Sequence, residues 1–373
     1  MPNKKPKSAR TSRLFLSERD LPVADVCRFE KLARKRLSKM VFEFIRSGAA
    51  DEITIRENRR AFDRLRLLPR TLVDVSEVDT HIFLFGRKLE CPVLLAPIAY
   101  HRLFHPDGEL ATAQGASAVG VPFVVSSFTT NAIDEIVRNT VQPVWFQLYV
   151  QRDRTLTRDM VELSLTSGCT AICITVDTPV LGCRYAQLQF ALPTEIECVH
   201  LLKSSGKGPG GSKERPGARL SNLSFDSKFS WADLDWLRSS IKVPMLLKGM
   251  FHPSDCMRAL EAGVDGIIVS NHGGRNLDTV PAAIDILPRV VDVVAGRIPV
   301  LLDSGIRRGT DILKALALGA RAVLLGRPYA YALSVGGASG VQRVVRILRD
   351  ELETAMALVG KRSILEIDST VLW

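Results

Sequence analysis

Eight short apolar runs, rich in β-branched residues, recur along the chain with helical stretches between them. They are PVLLAP (92–97), PFVVSS (122–127), VWFQLYV (144–150), AICITVDTP (171–179), PMLLKG (244–249), GIIVSN (266–271), PVLLDSG (299–305) and AVLLGRP (322–328). A strand with one wet face alternates apolar and polar residues. A continuous apolar run instead marks a strand buried on both faces, as in a parallel sheet. The stretches between them, such as GELATAQGASAVG, LTRDMVELSLTSG, PSDCMRALEAG and GTDILKALALGA, have helical spacing and reach a Gly suited to a left-handed C-cap. Eight strand–helix alternations predict an α/β chain closed into a (β/α)8 TIM barrel. A doubly wound open sheet is the alternative.

Two segments fall outside the alternation. Residues 20–75 read as an N-terminal helical extension, and 194–240 as a long insertion after the fourth strand. Its variable part, 194–230, contains SSGKGPGGSKERPGAR (204–219), whose Gly, Ser and Lys content predicts a mobile loop at the site entrance. The expected organisation is a basic disordered extension over 1–19 and one barrel domain over 20–373.

The net charge of +10 permits attraction to anions. The basic residues are interleaved with 40 acids, which argues against a nucleic-acid partner. No apolar stretch approaches the roughly 18 residues of a membrane span, and no signal-peptide core follows the basic start. The seven cysteines form no C-x-x-C pair. Cys91, Cys169, Cys173 and Cys183 lie in or beside apolar runs, so free thiols in a reducing cytoplasm are expected. The chain ends STVLW, without a peroxisomal Ser-Lys-Leu. No metal site is expected.

In a barrel of this kind the C-terminal ends of all strands meet at one rim, where active sites are built. The polar residues fall there: Gln147 and Tyr149 after the third strand, Thr175 and Asp177 after the fourth, Lys248 after the fifth. Ser270, Asn271 and His272 follow the sixth, Asp303 the seventh, and Gly326 and Arg327 the eighth. Each alone has a plain explanation as a turn former or a snorkelling side chain. A shared rim makes their coincidence informative. DSGIRRGTD (303–311) and LLGRP (324–328) add glycines, Arg307 and a helix start, the makings of a phosphate site. No Walker loop and no strand–GxGxxG–helix unit is present, so a phosphate-bearing cofactor fits better than ATP or NAD.

With these residues in place, the sequence from about residue 20 onward resembles the FMN-dependent 2-hydroxy acid oxidases and dehydrogenases, the family of glycolate oxidase, long-chain hydroxy acid oxidase, lactate oxidase and mandelate dehydrogenase. SNHGGRNLD (270–278) is close to the family's Ser-Asn-His-Gly-(Ala/Gly)-Arg-Gln-Leu-Asp, and WFQLYV, TVDTPVLGCR, LLKG, DSGIRRGTDILKALALGA and LLGRP support it. The resemblance implies His272 as base, oriented by Asp177, with Arg275 and Arg184 on the substrate carboxylate. It implies Tyr149 near the reacting hydroxyl or carboxylate and Lys248 beside the flavin. The remaining FMN contacts it implies are Ala96, Pro97, Ile98, Ala99, Ser126, Gln147, Thr175 and Ser270, with the phosphate among Asp303, Gly305, Arg307, Gly326 and Arg327. The implied reaction is oxidation of an L-2-hydroxy acid to the 2-oxo acid, with O2 as acceptor, in a homo-oligomer (tetramer or octamer). These roles are chemically coherent: an Arg fork suits a carboxylate, and His suits a base near neutrality.

The chain departs from the short-chain oxidases in three places. Phe44, in VFEFIRSGAAD, stands where they carry a substrate tyrosine. Phe128 stands where glycolate oxidase has a Trp crowding the substrate tail, and Ile98 replaces a Thr beside the flavin. A medium-chain or aromatic substrate is therefore expected, with Phe44 and Phe128 lining its tail. The alternatives are a dehydrogenase using a quinone or protein acceptor, a non-oxidative FMN barrel such as an isopentenyl diphosphate isomerase, and a non-catalytic binding protein.

Overall fold

The computed structural model describes residues 23–190, 198–202 and 225–373. The basic extension 1–19 and the segment 204–219 lie outside them, as does much of the 194–230 loop. The described residues open with three helices: α1 (Val26–Arg36), α2 (Lys39–Arg46) and α3 (Ile53–Arg64). Asp25 caps α1 by accepting from Cys27 N, and Ser38 caps α2 by accepting from Val41 N. A hairpin of β1 (Ile82–Leu84) and β2 (Arg87–Leu89) follows, joined through Phe85 and Gly86. Both have positive φ (47° and 73°), the requirement of a two-residue type I′ turn. Phe85 packs 5.6 Å from Trp145, near the start of a barrel strand, and Arg321 donates to Phe83 O. The hairpin thus closes the N-terminal end of the barrel.

The barrel is closed and wholly parallel. Its strands are β3 (Val93–Leu95), β4 (Phe123–Ser126), β5 (Val144–Leu148), β6 (Ala171–Thr175), β7 (Met245–Met250), β8 (Gly266–Val269), β9 (Val300–Leu302) and β10 (Ala322–Leu325), with β10 pairing back to β3. All eight coincide with the apolar runs, and the barrel excludes the open-sheet alternative. Nearly every strand residue is buried, as two covered faces demand.

Around the strands lie α4 (Glu109–Ser117), α5 (Ile133–Arg138), α6 (Arg154–Thr166), the short α7 (Tyr185–Leu188) and α8 (Val199–Leu202), then α9 (Trp231–Ser240), α10 (Pro253–Glu261), α11 (Ala283–Val294), α12 (Gly309–Ala317) and α13 (Arg327–Leu358). Gly120, Gly168, Gly263 and Gly319, which follow α4, α6, α10 and α12, have positive φ, as the sequence predicted. The 194–240 insertion is shorter than expected because α9 is the barrel's own fourth helix. The 32 residues of α13 are two helices joined across a kink at Gly337 (φ 57°). A Cβ there would lie 2.7 Å from His105 Nε2. Among the described residues all seven cysteines are free, but Cys183 is exposed, contrary to its expected place in an apolar run. The run VLG around it leaves β6 at the rim instead of entering the core.

The helical extension is part of the catalytic rim. Asn58 on α3 and Asn271 after β8 exchange amide hydrogen bonds of 2.9 and 2.7 Å, and Asp278 accepts from Ile53 N and Thr54 N. These bonds hold α3 against the loop that carries His272.

Candidate active site

The strand ends and α2 enclose one cavity at the C-terminal rim, lined by His272, Arg275, Arg184, Tyr149, Lys248, Phe44 and Phe128, by Ala96–Ala99, Ser126, Gln147 and Thr175, and by Asp303, Gly305, Arg307, Gly326 and Arg327. Two residues expected there stand behind its wall. Asp177 lies against the far side of the His272 ring. Ser270, 1% exposed, accepts from Lys248 Nζ at 2.9 Å and so supports the site through that lysine.

His272 begins a run of three positive-φ residues with Gly273 and Gly274 (57°, 65° and 72°). Such a conformation is costly for histidine and persists only where neighbours fix it. Gly273 N donates to Ser304 Oγ, His272 N to Ser270 Oγ, and Arg327 to Gly273 O. The turn aims the imidazole into the cavity. Its Nδ1 lies 2.9 Å from Asp177 Oδ1, and its Nε2 lies 3.4 Å from the Tyr149 hydroxyl. A carboxylate at Nδ1 fixes the tautomer with the proton there, leaving Nε2 an acceptor facing the cavity.

Asp177 is itself over-determined. Thr178 Oγ1 donates to its Oδ1 at 2.8 Å, and Asn276 Nδ2 donates to the same oxygen and to its backbone carbonyl. Asn276 stands where the family signature has Gln, and it is a positioning contact that sequence reasoning missed. Gly249, at a bulge in β7 with φ 101°, allows the approach: a Cβ there would lie 2.4 Å from Asp177 Cβ. Burial opposes ionisation of Asp177, but His272, Lys248 and Thr178 outweigh it and hold the carboxyl below its ordinary range. Burial lowers the His272 pKa. Asp177 pulls it up, Lys248 and Arg184 push it down, and the net position is below 6.5. The imidazole is therefore neutral at pH 7 and able to take a proton.

Four arginines face the same space. Arg275 donates to Ser47 O at 2.8 Å and lies over the Phe44 ring at 5.6 Å, while Arg184 Nε donates to Arg275 O at 2.9 Å. Arg327 spans Ile45 O, Gly273 O and Ser47 O, and Arg307 NH1 reaches Ile306 O. None has a carboxylate partner within ion-pair distance among the described residues. Burial depresses the guanidinium of Arg327 to about 10 and that of Arg275 well below its usual value, the latter further lowered by Arg184 and Arg327. Concentrated buried positive charge without counter-charge is a demand for anions. Lys248 is compensated: its Nζ lies 3.2 Å from Asp303 Oδ2. Burial alone would lower its pKa, but Asp303 and Asp177 outweigh that and keep the ammonium charged.

Phe44, expected to line the substrate tail, lines the cavity with its ring against Arg275. Tyr100, Leu181 and Phe225 also line the cavity and were missed. Their packing is non-local, with no signal in the neighbouring sequence.

The sequence profile of the FMN-dependent dehydrogenases matches residues 33–373, nearly all of the barrel and its extension. The chain belongs to that family. This FMN-dependent dehydrogenase is 44% identical over 351 residues to an L-lactate oxidase of Nostoc sp., covering 92% of this chain and 96% of the relative. It is 43% identical to a 2-hydroxyacid oxidase of Dictyostelium discoideum over 344 residues, 91% of this chain and 88% of the other. A mandelate oxidase solved with (S)-4-hydroxymandelic acid has a TM-score of 0.87 and 36% identity, with 94% of this chain and 98% of that one covered.

The residues present fit FMN. Arg307 and Arg327 offer buried charge for one phosphate beside the positive-φ turn Ser304–Gly305, and a Cβ at Gly326 would meet no protein atom within 4 Å. That open space between backbone and arginines is the cradle a phosphate needs.

Proposed function

We propose that this FMN-dependent enzyme oxidises medium-chain or aromatic L-2-hydroxy acids to 2-oxo acids, with O2 as acceptor and H2O2 as product, as an (S)-2-hydroxy-acid oxidase. The observation that carries this is the neutral His272 imidazole, held at Nδ1 by the Asp177 carboxylate and opening onto the same cavity as Arg275 and Arg184. A 2-hydroxy acid presents a carboxylate to the arginines and a hydroxyl to the base. Arg275 and Arg184 hold the carboxylate through charge-assisted hydrogen bonds. His272 Nε2 takes the hydroxyl proton, and Asp177 at Nδ1 stabilises the resulting cation. The Tyr149 hydroxyl, its pKa pushed up to about 12 by burial, stays protonated and donates to the substrate oxygen.

Phosphate binding falls to Arg307, Arg327, Gly305 and Gly326. Ala96–Ala99, Ser126, Gln147, Thr175 and Lys248, which line the same cavity, would hold the ring system. When bound, FMN supplies the two-electron acceptor for the substrate's Cα. Lys248 holds positive charge where the reduced ring would carry negative charge.

The names of the relatives support oxygen over a quinone or protein acceptor. No described helix is long and apolar enough to cross a membrane. The free cysteines favour a cytoplasmic setting, although one plant relative is named a peroxisomal (S)-2-hydroxyacid oxidase. The assembly proposed is a homotetramer, checked by light scattering.

Anaerobic addition of glycolate, lactate, mandelate and 2-hydroxyoctanoate, followed by air, tests the reading. Bleaching of the flavin band and rapid return on aeration are expected. Slow return would assign a dehydrogenase, and no bleaching with any acid would refute the proposal.

A further inference from the structure

Five aromatic rings run across the cavity. Phe44 lies 6.0 Å from Tyr100, Tyr100 stacks on Phe128 at 6.1 Å and 20°, Phe128 stacks on Tyr149 at 5.3 Å and 28°, and Tyr149 meets Phe225 at 4.8 Å. Phe44 is held at the carboxylate end by Arg275, and Tyr149 at the base by His272. Tyr100 is the ring between Phe44 and Phe128. Its backbone N donates to Phe128 O at 3.0 Å, and its own φ of 62° is fixed in the left-handed region. Its side chain packs against the cluster that contains Cys198, just before α8, in a segment pinned by Val199 N to Thr129 O and by Ile133 N to His200 Nε2. Tyr100 is thus held by its backbone and by packing, and its ring is a rigid wall.

We propose that Tyr100 is a specificity-determining residue: its ring closes the tail subsite beside Phe128, so that the site favours a flat aryl tail over a linear alkyl chain. The inference rests on the 2-hydroxy acid reading and refines it. A stacked wall offers an aryl tail offset-stacked or edge-to-face contacts that an alkyl chain cannot reproduce. An alkyl chain gains only by burying methylenes, and a fixed ring limits how many fit.

The test compares kcat/KM for mandelate and 2-hydroxyoctanoate, with lactate as reference, in the FMN-loaded parent, Tyr100→Ala and Tyr100→Phe. The parent favours mandelate. Tyr100→Ala raises the octanoate-to-mandelate ratio about tenfold, the effect of roughly two more buried methylenes. Tyr100→Phe keeps the ring and leaves the ratio within about twofold, since the ring and not the hydroxyl forms the wall. Binding of unreactive phenylacetate and octanoate, read from the perturbed flavin spectrum, follows the same order if turnover of the alanine variant is too slow to measure. An unchanged ratio in Tyr100→Ala, or an equal change in both variants, overturns the proposal. Absence of flavin reduction by every acid in the parent would instead overturn the underlying 2-hydroxy acid reading.

Discussion

Asp177 Oδ1 accepts from His272 Nδ1 at 2.9 Å, across the gap between the ends of β6 and β8. The two residues are 95 positions apart, and the bond exists only because the barrel brings both strand ends to one rim. It fixes the imidazole's tautomer and leaves Nε2 free to face the cavity.

The pair sets a pH dependence. His272 titrates below 6.5, so kcat/KM holds through neutrality and falls on the acid side as the base becomes protonated. The Asp177 charge raises the His272 pKa, so Asp177→Asn moves that acid limb to lower pH while slowing reduction at the plateau. A pH–rate profile of the two proteins measures both effects. An acid limb that stayed in place would show that Asp177 does not act on the base.

Gly249→Ala is expected to damage the same pair from behind. A left-handed φ costs a non-Gly residue about 1–2 kcal/mol, and the added Cβ would lie 2.4 Å from Asp177 Cβ. The variant should melt lower and reduce its flavin more slowly. Parent-like behaviour in both assays would mean that the bulge yields without moving Asp177.

Arg327→Ala should weaken FMN retention by about 1.5–3 kcal/mol, as for a hydrogen bond to a charged group. Dialysis followed by absorbance of the retained flavin reads the effect, and mass spectrometry of the released flavin should give FMN, not FAD. Full retention would place the phosphate elsewhere.

Phe44→Tyr restores a hydroxyl next to Arg275. A neutral hydrogen bond contributes about 0.5–1.5 kcal/mol, so kcat/KM should rise several-fold for glycolate and mandelate alike, since both present the same carboxylate. In the parent, kcat/KM should rise from glycolate through lactate to the larger acids, because each buried methylene adds about 0.8 kcal/mol. A parent that prefers glycolate would defeat the size argument and leave the FMN chemistry standing.

The barrel was legible because strands buried on both faces cannot hide: VLL, FVVS and GIIV have no polar alternation to confuse with a surface strand or loop. Which residues share the rim cavity was legible for the same topological reason, since the strand ends of a closed barrel meet at one rim. The hairpin 82–89 was not, because its strands are three residues long and its I′ turn uses Phe85, a residue rarely chosen for positive φ. The kink in α13 falls at Gly337, beside His105, a contact with no local signature. The place of Phe44 against Arg275 and the ring chain through Tyr100 are tertiary facts too. Sequence supplied the aromatic residues but not which of them touch.

The most direct test of the account is anaerobic stopped-flow mixing of a 2-hydroxy acid with FMN-loaded parent and His272→Ala. The account predicts that both proteins carry FMN, that the parent's flavin band bleaches, and that the variant's reduction is slower by about 10²–10⁴-fold, as for loss of a general base. Reduction of His272→Ala at close to the parent rate would contradict it.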